Sequence, residues 1–292
     1  MNIQNDRKEG VTLSAKTVME IASKRLTERD MLLLEILRKH RFASRDHLLE
    51  LVGMKNLKQG KVILNKRLKF LYDNHFVDRA AAYVGPNCSK PTLIYSLDRA
   101  YRFIAGKKSW KKCIKHIKMA DGTISKRLPI TYMHNLVIND VVCIMKRTAE
   151  DAGWDMVHVG IEEENFMPIA YKKKSGIVPD VVAIFADIKF GNIFSLFLEV
   201  DLGNEGKELI KSKIKHYYML KTYRTWIDAS WYKQHVASHS PSAIVFPHLT
   251  FLVGNSNSAR HKMIKDALDE WNLNSSVMSL PNFESWLRSQ ML

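Results

Sequence analysis

The chain has 292 residues, 46% hydrophobic and 26% charged, the proportions of a folded protein of about two domains. No apolar run approaches the roughly 18 residues that span a bilayer, and the opening MNIQNDRKEG lacks the apolar core of a secretory signal. Three cysteines without paired spacing (Cys88, Cys113, Cys143) argue against a disulfide framework or a structural zinc site and point to a reducing cytoplasm.

The net charge of +15 is unevenly placed. Residues 1–130 hold 28 Lys and Arg against 12 Asp and Glu, whereas the remainder hold 17 against 18. Such asymmetry implies that the first half meets a polyanion. No strongly amphipathic basic helix with an aromatic face is present, so double-stranded DNA fits better than a membrane.

In chain order, Ser14 to Leu26 reads as a first helix. Thr27-Glu-Arg-Asp30 reads as a capping box with Asp in place of Glu, opening a helix through about His40. Ser44 caps a short helix that Gly53 ends, and a third helix runs from about Gln59 to Asn74. Strand-like segments at Phe76–Val84 and Thr92–Leu97 follow, completing the order expected of a winged helix-turn-helix. Its third helix would present Lys61, Asn65, Lys66 and Lys69 to the major groove, with Arg79 and Lys90 on the wing. Protein pairing by the same fold is the competing use.

Residues 105–127 are strongly basic and read as a helix plus a loop through Asp121-Gly122, linking the domains. Lys107, Lys108, Lys111, Lys112, Lys115 and Lys118 there, Lys111 and Lys112 foremost, are candidates for sequence-independent phosphate contact, against the alternative of a solvated linker. The organisation expected is a winged-helix domain over 1–104, a basic linker over 105–127 and an α/β domain over 128–292.

That last part reads as helix, strand, strand, strand, helix, strand, helix, strand, which predicts a mixed sheet covered by helices. Two of its apolar strands carry acids: Asp180 starts one, and Glu199 and Asp201 end the next. Carboxylates are almost never fully buried unless paired or metal-bound. Positions i and i+2 share a face, so Glu199 and Asp201 point the same way. Three converging acids form an oxygen-rich pocket for Mg²⁺ or Mn²⁺, and ordinary solvated or lysine-paired acids are the alternative.

The order of Pro179-Asp180, Leu198-Glu-Val-Asp201 and a lysine-bearing helix resembles the PD-(D/E)xK restriction-endonuclease-like superfamily. With Thr27-Glu-Arg-Asp30, His134, Asn139-Asp140, Lys213 and Tyr217, residues 25–255 resemble the plasmid replication-relaxation family, which includes MobC-type relaxases. The resemblance implies an α+β protein with a winged helix joined to a nuclease-like domain. It implies nicking of DNA at an origin-like site and partners among relaxosome or conjugation proteins. The superfamily's usual lysine, two residues after the Glu, is here Asp201. Lys213, at i, i+4 from Tyr217, either supplies that cation or is a surface lysine. Asp180, Glu199 and Asp201 would hold the ion, with Asp140 or one of Glu162, Glu163 and Glu164 as a further ligand. Tyr217 or Tyr218 is the candidate nucleophile if cleavage is covalent. His134 and His216 read as proton shuttles or core residues. Without a cation at the site, the chain is a non-catalytic DNA-binding accessory protein or transcription regulator on a degenerate nuclease scaffold.

Overall fold

A computed structural model describes residues 13–84, 88–107, 112–170, 175–187, 189–237, 245–254 and 258–292. The chain divides into two compact units, Met1–Asn139 and Asp140–Leu292.

The first unit runs α1 (Ala15–Arg25), α2 (Glu28–His40), β1 (Ala43–Ser44), α3 (Arg45–Leu51), α4 (Gly60–Asp73), β2 (Val77–Ala82), β3 (Thr92–Leu97), α5 (Tyr101–Ile104), β4 (Lys115–Lys118) and β5 (Ile124–Arg127). It then enters α6 (Tyr132–Ala152), within which the division falls. Local chemistry sets the helix starts. Ser14 caps α1, and at α2 both halves of the Thr27/Asp30 capping box form. Ser44 caps α3 reciprocally with His47. Gly60 opens α4 where a side chain has no room, since a Cβ there would stand 2.2 Å from the Met54 carbonyl oxygen.

The apolar faces of α1 to α4 close over Leu33, Leu34, Leu37, Leu48, Leu64, Leu68 and Leu71, with Phe76 and Val77 of the sheet side. That sheet has the order β1-β3-β2, its strands antiparallel. Asp30 then serves a second purpose. Buried at the start of α2, it accepts from the Arg67 guanidinium of α4, Nε at 2.8 Å and Nη2 more closely still. Burial pushes its carboxyl up, but Arg67 and Thr27 outweigh this and hold it below the usual value.

The basic segment expected as helix and loop is in fact an antiparallel hairpin, Lys115↔Arg127 to Lys118↔Ile124. The signal was Asp121-Gly122. Gly122 takes φ +81°, a conformation that closes a hairpin at no steric cost, and Asp121 accepts from the Thr123 N–H and hydroxyl. The hairpin belongs to the first unit. His116 Nε2 and Lys126 Nζ each lie 2.6 Å from the buried Asp78 carboxylate on β2.

The second unit runs β6 (Trp154–Ile161), β7 (Met167–Pro168), β8 (Gly176–Ile177), β9 (Val181–Asp187), β10 (Ile193–Asp201), α7 (Lys207–Tyr223), β11 (His248–Val253), α8 (Ser258–Glu270), β12 (Ser275–Ser279) and α9 (Leu280–Gln290). Its five-stranded sheet has the order β12-β11-β10-β9-β6. The β6, β9 and β10 strands are antiparallel, and β10, β11 and β12 are parallel, so the sheet is mixed. Parallel neighbours need crossovers, which α7 and α8 supply. Strand β9 is buried along its whole length, as expected of a strand covered on both faces. In a core of Phe197, Tyr217, Trp226, Trp231 and Phe246, Phe197 meets Trp231 edge-to-face at 5.8 Å, and Phe246 meets Phe197 and Trp226 in the same way. Among the described residues no helix is long and apolar enough to cross a membrane.

Candidate functional site

The second unit's acids sit where β9 enters the sheet and β10 leaves it. The antiparallel register pairs Leu198 with Val181, and one step further Asp180 lies across from Glu199. Asp180 is half-buried, its Oδ2 accepting from the Val200 N–H at 2.7 Å. The Asp180 carbonyl accepts from the Glu162 N–H at 3.0 Å, and the Pro179 carbonyl from the Asn165 amide at 3.0 Å.

Glu199 is 1% exposed. Helix α7 buries Ile210, Ile214, Tyr217 and Leu220, a stripe at helical spacing, and Lys213 flanks it. Lys213 and Tyr217 are one turn apart and reach the two oxygens of Glu199. Lys213 Nζ donates to Oε2 at 3.0 Å, and the Tyr217 hydroxyl donates to Oε1 at 2.5 Å. Lys213 also meets Glu205 at 3.4 Å.

Burial and then the Asp180 charge raise Glu199, outweighing Lys213 and Tyr217, and push it up to about 8. Burial opposes the Lys213 charge, but Glu199, Asp180 and Glu205 outweigh it and hold the ammonium well above its usual range. Tyr217, with no exposed surface, is pushed well above the normal phenol value by burial and by Glu199. That is the reverse of an activated nucleophile, which needs a lowered pKa or an adjacent base and access to substrate. Tyr218 instead packs its ring on Trp271 at 4.7 Å.

Asp201 shares a strand face with Glu199 but not its surroundings. Arg260 of α8 grips it in a bidentate pair, Nε at 2.6 Å and Nη2 at 2.9 Å, and the Gly203 N–H donates to its Oδ1. Both oxygens are committed to holding α8 on β10. Asp140 is half-buried on α6, and Glu163 and Glu164 are exposed. Among the described residues, no group of three or more His, Cys, Asp or Glu side chains is placed to hold a metal ion. The acids that could hold an ion together are then Asp180 and Glu199. Two carboxylates suit Mg²⁺ or Mn²⁺, which keep several waters and take further oxygens from a bound phosphate, and the mutual repulsion that raises Glu199 is what a divalent ion relieves.

In the first unit Lys61, Asn65, Lys66 and Lys69 are exposed on α4, Lys69 pairing with Asp73 at 3.0 Å. Lys90 is exposed. Arg79 is turned back, its guanidinium 4.3 Å from the centre of the Tyr72 ring. Lys112 lies 3.9 Å from the buried Asp98. Lys108 and Lys111 fall outside the described residues. Asn139 is fully buried, its Nδ2 donating to the Phe42 carbonyl while its Oδ1 lies 2.6 Å from His40 Nδ1, a packing role within the first unit. Sequence reasoning did not place Arg260 or Asp78, and it placed Asp30 as a cap but not as the partner of Arg67. Their partners lie 59, 38 to 48 and 37 positions away, beyond any periodicity.

These features define an α+β protein of two units, the second a mixed sheet with a buried carboxylate–lysine–tyrosine cluster beside a half-buried aspartate. Residues 34–230 match the replication-relaxation family, and the chain belongs to it. No curated protein matches the chain. Among solved structures it is similar to restriction endonuclease FokI at 12% identity and TM-score 0.30, covering 92% of this chain and 46% of that one. FokI bound to DNA is similar at 10% identity and TM-score 0.27, covering 92% and 47%. The chain spans less than half the length of both, and likeness this distant assigns neither fold nor activity.

Proposed function

We propose that this protein acts on double-stranded DNA in replication or mobilisation of a plasmid or other mobile element, as a metal-dependent relaxase-type nicking protein. The observation that carries the reading is the convergence of Asp180, Glu199 and Lys213: two acids and a cation on neighbouring elements. Family membership supports the biological setting. In this reading α2, α3 and α4 with the β2–β3 hairpin act as a winged helix, and Lys61, Asn65, Lys66 and Lys69 on α4 face an origin-like site, with Lys90 on phosphate. The protein would work in the cytoplasm beside other relaxosome or conjugation proteins.

Asp180 and Glu199 would hold Mg²⁺ or Mn²⁺, which when bound makes water a better nucleophile and neutralises charge on the phosphate under attack. Lys213 brings a fixed positive charge beside Glu199, in place of the lysine that Asp201 displaces from the strand. Tyr217 orients the Glu199 carboxylate by its hydroxyl, and its complete burial argues for that positioning role over covalent attack. Asp201 fixes α8 and does not hold the ion.

A second reading, a DNA-binding accessory protein or transcription regulator without cleavage, is favoured by the saturation of both Glu199 oxygens by Lys213 and Tyr217. Nicking of supercoiled plasmid carrying the cognate origin, with Mg²⁺ or Mn²⁺, separates the two. The wild type is expected to produce open circles, and Asp180→Asn and Glu199→Gln to slow this by roughly 10²-fold or more, the usual cost of losing one transition-state electrostatic partner. Equal activity in all three, or none in any, removes the enzyme reading.

A further inference from the structure

The β4–β5 hairpin is cationic in both directions. Its inward polar groups have an assigned use: the cross-strand pair His116↔Lys126 converges on Asp78, which is 2% exposed, and Lys126 also donates to the Tyr72 hydroxyl at 3.1 Å. Burial raises the Asp78 carboxyl, but His116 and Lys126 outweigh it and hold it below its ordinary value. A two-stranded ribbon is marginal alone in water. This one is riveted to β2 by a buried charge cluster, an investment a solvated linker does not need.

Alternation then sends the flanking pairs the other way. Lys115↔Arg127 and Ile117↔Ser125 lie on the outward face, all four exposed, Ile117 at 41%. At the tip Lys118 and Met119 are exposed, Met119 at 48%. The acid of the turn, Asp121, is occupied by Thr123. The result is an anchored ribbon with Lys115 and Arg127 beside a small apolar patch on its outward face, and with Lys118, paired to Ile124 on the other face, exposed at the tip. Two-stranded ribbons fit the major groove, and lysine and arginine beside apolar side chains suit the phosphate-lined groove edge.

We infer that the β4–β5 hairpin is a second DNA-contacting element, separate from α4, in which Lys115, Lys118 and Arg127 neutralise backbone phosphates while Asp78 holds the ribbon in place. The inference rests on the DNA-binding part of the proposed function. It assigns contact to residues other than Lys112, which is drawn to Asp98, and excludes Lys126 and His116, which face inward.

The test is binding of the full chain to a random-sequence duplex, read by fluorescence anisotropy over a salt series. The variant K115Q/K118Q/R127Q is expected to lose at least about tenfold in affinity. Its slope of log affinity against log salt should fall by about 2 to 3, at about 0.9 per phosphate contact. An unchanged slope overturns the inference, whatever the affinity does. To guard against a misfolded variant, a photoreactive phenylalanine at Ser125 in the otherwise unaltered chain should cross-link to the duplex, and no cross-link overturns the inference equally. If the wild type binds no duplex, the DNA reading itself fails. If K61Q/K66Q weakens binding while the hairpin variant does not, only the hairpin assignment fails.

Discussion

Asp78 in the first unit and Glu199 in the second are buried to the same degree, 2% and 1% exposed, yet their protons behave oppositely. Asp78 faces a hydrogen-bonding imidazole, His116, and a cation, Lys126, and stays below the ordinary carboxylate value even with Asp98 nearby. Glu199 faces one cation, Lys213, across from a second acid, Asp180, and rises to about 8. Burial raises both groups, and in Asp78 the neighbouring groups outweigh it whereas in Glu199 they do not. One arrangement is a rivet. The other leaves an electrostatic conflict unrelieved, the condition under which a carboxylate can take part in chemistry.

The sharpest way to break this comparison after the nicking variants is Lys126→Met. Removing one partner from a buried charge cluster costs about 3–5 kcal/mol. The hairpin should detach, seen as a fall in denaturant midpoint and as faster amide exchange over residues 115–127. Lys213→Met removes the cationic partner of Glu199, and with Glu199 then free to bind its proton the loss should be smaller, measured the same way. Equal losses would mean that the two sites are not different in kind.

The pH dependences should also diverge. Glu199 has a folded pKa above its unfolded one, so its contribution is present in full below about 4.5 and lost as pH rises through about 8. Asp78 has a folded pKa below its unfolded one, so its contribution is present above 3.8 and lost as pH falls. Trp154, Trp226, Trp231, Trp271 and Trp286 all lie in the second unit, so tryptophan fluorescence mainly follows Glu199's surroundings. Melting followed this way should weaken toward alkaline pH in the wild type and flatten in Glu199→Gln.

The mildest change is Tyr217→Phe. It removes a hydrogen bond that lowers Glu199, so the carboxyl should titrate still higher and the acid limb of the nicking profile should move to higher pH. A hydrogen bond to a charged group is worth about 1.5–3 kcal/mol, so the rate at neutral pH should fall by roughly ten- to a hundredfold with cleavage retained. Complete loss of nicking in this variant, with the fold intact, would return Tyr217 to the role of nucleophile.

Much of the architecture was legible residue by residue. The Thr27/Asp30 capping box, the Ser44 cap, the α4 periodicity and the two acid-bearing apolar strands all read correctly, because caps and hydrophobic periods act within a turn or two of the chain. The i, i+4 spacing of Lys213 and Tyr217 placed both on one helix face, where the structure brings both to Glu199. The basic hairpin was missed by weighing its lysines over its Asp121-Gly122 turn.

Sequence alone thus determined most of the helices and strands and which residue types stand at the strand ends, since those are short-range consequences of sterics and burial. Tertiary structure alone decided the partners. It gave Asp201 to Arg260, Asp30 to Arg67 and Asp78 to His116 and Lys126, and it left Glu199 with Lys213 and Tyr217 against Asp180. A buried charge takes whichever neighbour packing brings to it, and packing joins positions that no local pattern connects.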